Sequence, residues 1–145
     1  MRIVLFTRDI IITIVGFLAD NKDTCSMVKS CHPIKNILYN YGYLKRMDIY
    51  HKNLFQAVKQ YDKHKKTMVS LTLHNIENIQ YYFSWFPRHL TLNFCTFDIL
   101  TNQSTNTTEL VINDYYDCKD PKKIKLQNFP KLQKINTLYT VIQYV

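Results

Sequence analysis

Glycine is almost missing from this sequence: 145 residues contain two glycines and four prolines. A hairpin-rich barrel is disfavoured, because its tight turns need residues that accept positive φ. Two glycines also cannot build a glycine-rich phosphate loop. The four cysteines, at 25, 31, 95 and 118, lack the close paired spacing of a zinc site, and Cys25 with Cys31-His32 is an incomplete ligand set. Free, reduced thiols and a cytosolic setting are expected instead. The histidines at 32, 51, 64, 74 and 89 are scattered, with no His-Glu-x-x-His spacing. No nucleophile and base form a motif, and a polar loop accounts for Asp114 and Asp117 better than an acid pair does. Neither catalytic residues, a metal nor a cofactor are expected.

Acidic residues are also scarce, 11 against 19 basic ones, for a formal charge of +8. Such a balance invites a nucleic-acid reading through counterion release. The cations, however, are spread from Lys45-Arg46 through Lys65-Lys66 to Lys131 and Lys134, without an RNA-recognition aromatic signature, zinc finger or recognition helix. A solvated basic surface is the plainer account. What is abundant is apolar: 46% hydrophobic and 14% aromatic residues argue for a folded chain.

Ile10 to Leu18 is apolar almost all the way round and too short to cross a bilayer. Thr7 can cap it, and Asp9 suits the positive end of its dipole. Asp20 or Asn21 can cap a second helix that His32-Pro33 ends, and Ile34, Ile37, Leu38 and Tyr41 recur at helical spacing before Gly42. Met1 to Ala19 can also be read as a signal peptide, and the sequons at Asn102 and Asn106 would fit a small secreted protein. Against that, Arg8-Asp9 puts two charges inside the apolar core, and no small-x-small site precedes Asp20. From His51 to Lys63, Leu54, Phe55, Val58 and Tyr61 predict an amphipathic helix with a basic outer side. A membrane surface or an acidic partner is the functional alternative to a solvated face there.

Beyond residue 66 the period changes from helical to alternating. Met68–Leu73, Arg88–Phe94, Glu109–Ile112 and Lys123–Leu126 are strand-like, and leucines recur at 71, 90 and 110 before the interval tightens to Ile124. A beat of about 20 residues indicates a stacked solenoid. Asn93, Asn113 and Asn128 follow their strands, where asparagine side chains can bridge successive turns. The end at Tyr144-Val145, without a polar capping repeat, fits a shortened relative of longer repeat proteins.

Two resemblances overlie this reading. Phe6-Thr7-Arg8-Asp9-Ile10 and Ile14-Val15-Gly16-Phe17-Leu18, then Asp23, Ser26, Met27, Cys31 and Ile34, line up with the pattern of an F-box from Leu5 to Tyr41. Thr7 replaces the usual Pro, and Thr24 and Lys29 replace apolar residues. Phe86-Pro87-Arg88-His89-Leu90-Thr91-Leu92-Asn93-Phe94 resembles the turn of Phe-Asn-Ile-Pro (FNIP) repeats, relatives of leucine-rich repeats (LRR) that follow an F-box in giant-virus and amoebal proteins.

The resemblances imply an α+β chain: a three-helix F-box-like module over 5–41, a linker with an amphipathic helix over 42–66, and a short LRR/FNIP-type solenoid with parallel strands over 67–145. They imply a non-catalytic substrate receptor for a ubiquitin ligase, acting in its own or a host's cytoplasm or nucleus. Phe6, Thr7, Ile10, Ile14, Val15, Leu18, Met27 and Cys31 would face a Skp-type adaptor of a cullin-RING ligase. Tyr81, Tyr82, Trp85, Tyr115 and Tyr116 are the candidate target-binding aromatics, since such side chains make good anchors. The alternatives are a small secreted protein and a basic nucleic-acid or membrane-associated module.

Overall fold

A computed structural model describes residues 44–101 and 106–145. Five parallel strands form a front sheet: β1 (Arg46–Tyr50), β2 (Ser70–His74), β3 (His89–Asn93), β5 (Glu109–Asn113) and β7 (Lys134–Leu138), adjacent in that order. Three shorter strands, β4 (Ile99–Leu100), β6 (Lys122–Ile124) and β8 (Ile142–Tyr144), form a parallel back sheet. After each of β3, β5 and β7 the chain turns a corner and adds a back strand, and after β4 and β6 it returns to the front sheet. The first two turns are closed differently, after β1 by helix α1 (Leu54–His64) and after β2 by a 3-10 turn, Ile79–Tyr81.

Alternation builds the core. Leu71, Leu90, Leu110 and Ile135 fall in one register row, and Leu73, Leu92, Ile112 and Thr137 in another. The six residues of these rows on β2, β3 and β5 are buried. Leu100 and Ile124 from the back sheet, with Phe83, Phe86 and Cys95 from the connections, belong to the same buried cluster. A strand buried on one face must show period two, and these do.

The corners explain how a glycine-poor chain can stack. Asn75, Phe94 and Tyr139 each follow a front strand and each has φ near +55°. Asparagine adopts this left-handed conformation readily, whereas for Phe94 and Tyr139 it costs about 1–2 kcal/mol. Main-chain bonds to the next turn hold the corners at Asn75 and Phe94. The N–H of Asn75 donates to the carbonyl of Asn93, and that of Phe94 to the carbonyl of Asn113, so the ladder continues one residue past the strands.

The expected fold class does not stand. No three-helix module is seen: residues 5–41 lie outside the described residues, and among those described the one helical stretch is His51–His64, a 3-10 turn leading into α1. Everything else regular is parallel strand or a short 3-10 turn. Arg46–Tyr50, within the expected linker, is the first strand of the sheet, with Ile49 fully buried. Its neighbour β2 supplies the hydrogen bonds that its own sequence does not announce. Ile124 likewise sits on the back sheet, paired with Leu100 and Tyr144, and the column of Leu71, Leu90 and Leu110 continues to Ile135. In α1 the expected apolar stripe divides: Leu54 and Tyr61 are buried, while Phe55 is exposed.

Candidate interaction surface

Apart from Val111, the outward residues of the front sheet are polar along β2, β3 and β5, and all of them are half-exposed. At the end of the strands they join in a chain. The Asn113 side-chain amide donates to Asn93 Oδ1 at 2.7 Å, and Asn93 Nδ2 lies 3.4 Å from His74 Nδ1. His74 Nε2 is 3.1 Å from Asp48 Oδ1. The chain runs consistently from donor to acceptor if His74 is neutral with its proton on Nε2. At the opposite end of the strands Glu109 is flanked on both sides, its carboxylate lying 3.2 Å from His89 Nδ1 and 3.5 Å from Lys134 Nζ. Register places these groups opposite one another, so neighbouring turns satisfy each other's polar atoms.

Aromatic rings line the edge where the front strands end. Tyr50 stacks on the His74 imidazole with centroids 4.4 Å apart, and Phe94 stacks on Tyr115 at 4.5 Å. Tyr116 meets Tyr139 edge to face at 6.2 Å, and Tyr115 donates from its hydroxyl to Asn75 Oδ1. Tyr116 remains 82% exposed. A buried ion pair supports this rim: Lys122 Nζ lies 3.2 Å from Asp114 Oδ2, donates to the Cys95 carbonyl at 3.1 Å and stands over the Phe97 ring. Asp114 also accepts from the Tyr115 N–H. Burial opposes ionisation of Asp114, but hydrogen bonds from Cys118, Tyr115 and Lys122, with the lysine's charge, hold its carboxyl below the usual range. The same hydrogen bond to Asp114, followed by burial, pushes the Cys118 thiol up, and burial pushes the Cys95 thiol up. Both are free thiols.

The candidate target-binding aromatics separate. Tyr115 and Tyr116 stand on the rim. Tyr81 is exposed on the 3-10 turn, and Tyr82 lies edge-on to Phe55 beside a cleft of about 530 Å³ along the start of α1. Trp85 is packed against the core, and its carbonyl accepts the Tyr61 hydroxyl at 2.6 Å. Tyr50, His74, Phe94 and Tyr139 belong with Tyr115 and Tyr116 but were not singled out from sequence. The available signal was position: each ends a front strand or immediately follows one. All eight candidate adaptor-facing residues, Phe6 to Cys31, lie outside the described residues.

A second cleft, of about 400 Å³, opens at the other end of the front strands and is lined by Lys66, Arg88 and Lys131 with Trp85, Met68 and Val69. Among the described residues no cluster of three or more His, Cys, Asp or Glu could hold a metal ion, and no helix is long and apolar enough to cross a membrane. No family model, curated protein or solved structure matches the chain.

Proposed function

We propose that this chain is a non-catalytic recognition subunit, holding a protein target on the front sheet and its aromatic rim and docking on a Skp-type adaptor through residues 5–41. One observation carries the target-holding half: an ordered polar face ends in the exposed rings of Tyr115, Tyr116 and Tyr139, an amphipathic combination suited to protein contact. The adaptor half rests on the F-box resemblance of Phe6, Ile10, Ile14, Val15 and Leu18. The mechanism would be proximity. Holding the target beside a ligase raises the effective concentration of its lysines without chemistry in this chain.

Co-expression of the full chain with a Skp-type adaptor tests this reading. Wild type is expected to recover adaptor, the Ile14→Asp, Leu18→Asp double variant to lose it, and the Tyr115→Ala, Tyr116→Ala variant to keep it. If wild type recovers no more adaptor than the double variant, the reading fails.

A further inference from the structure

We propose that the cleft at the N-terminal end of the front strands is a docking site for a short anionic peptide segment bearing carboxylates or a phosphate. The proposal rests on the reading of this half as a target-holding surface. Its cations come from three different turns: Lys66 precedes β2, Arg88 immediately precedes β3, and Lys131 precedes β7. Stacking brings together charges that are far apart in the sequence. All three residues are exposed, and none forms an ion pair with a described carboxylate. The nearby Glu109 is engaged by His89 and Lys134. Three gathered positive charges repel one another, so a bound anion gains from all three at once.

The backbone under the cleft is held before any ligand arrives. The Arg88 carbonyl accepts the N–H groups of Thr108 and Glu109 at 2.9 and 3.2 Å. The buried Thr107 hydroxyl donates to the Pro87 carbonyl at 2.7 Å. A fixed backbone lowers the ordering cost of binding. Met68, Val69 and the Trp85 indole supply apolar lining for a neighbouring side chain of the ligand.

A peptide fits better than a polynucleotide. The cations converge on one cleft of about 400 Å³ instead of forming a track along which a phosphodiester chain could run.

Trp85 is the only tryptophan in the chain and lines the cleft, so its fluorescence reports occupancy directly. The full chain is titrated with an acetylated oligoglutamate peptide, its phosphoserine and glutamine counterparts, and an oligothymidylate of equal length. The two anionic peptides are expected to change Trp85 emission saturably, and the stronger of them identifies the preferred group. The glutamine peptide should bind at least about tenfold more weakly, and so should the anionic peptides to an Arg88→Gln, Lys131→Gln variant with an unchanged circular dichroism spectrum. Equal binding of the glutamine peptide, full binding to the variant, no response to either anionic peptide, or tighter binding of the oligothymidylate overturns the proposal. Adaptor recovery separates the two readings. If peptides fail while adaptor is still recovered, the cleft proposal alone falls; if adaptor is lost while peptides bind, the receptor reading falls and the cleft remains.

Discussion

Lys122 and Asp114 form a buried ion pair that ties the back sheet to the loop carrying Tyr115 and Tyr116. Their side chains are 11% and 7% exposed, so neither charge is well hydrated without the other. The Asp114 carboxyl is held below its ordinary range, which makes folding pH-dependent with a definite sign. The unfolded chain takes up this proton at about pH 4, whereas the folded chain resists it. The contribution is therefore complete at neutral pH and is lost as pH falls through and below that value. Urea unfolding followed from neutral to acidic pH should show a steeper loss of stability in wild type than in Asp114→Asn. Equal slopes would remove Asp114 from the account.

Among the elements, the front strands are not equivalent, although their backbones pair alike. β3 lies between two neighbours and buries Leu90 and Leu92, while β7 is an edge strand on which Leu138 is 52% exposed. Leu92→Ala should cost about 2–5 kcal/mol, because it opens a cavity among residues that cannot all collapse into it. Leu138→Ala should stay within about 0.5 kcal/mol. Equilibrium denaturation of both variants checks the contrast. These differences were only partly legible beforehand. Leu71, Leu90 and Leu110 announce their strands by alternation and spacing, and Asn93 and Asn113 announce a ladder by following them. Arg46–Tyr50 and Lys134–Leu138 announce little, since each takes its place from the hydrogen bonds of a neighbour.

At the scale of the whole molecule, each turn touches mainly the turns beside it, so stability is distributed along the stack. The turns around β2 and β3 hold most of the large buried side chains, including Leu71, Leu73, Phe83, Phe86 and Leu92. The last turn leaves Leu138, Tyr139, Val141 and Tyr144 exposed. Native-state hydrogen exchange should show the greatest protection in β2, β3 and β5, falling toward β7 and β8. Uniform protection would mean that the stack opens as one unit.

The sequence by itself determined the period of the stack, the inward leucines, the excess of positive charge and the poverty of glycine. These follow from composition and from which side chains alternate, and no distant contact is needed to see them. Only the tertiary structure decided which strands share a sheet, that Ile124 belongs behind Leu100, that Phe94 and Tyr139 accept left-handed corners, and that Lys66, Arg88 and Lys131 open onto one cleft. Parallel pairing joins residues about 20 or more positions apart through main-chain hydrogen bonds that every residue type except proline can make. A strand's own side chains therefore say that it will be buried on one face, while its neighbours decide where.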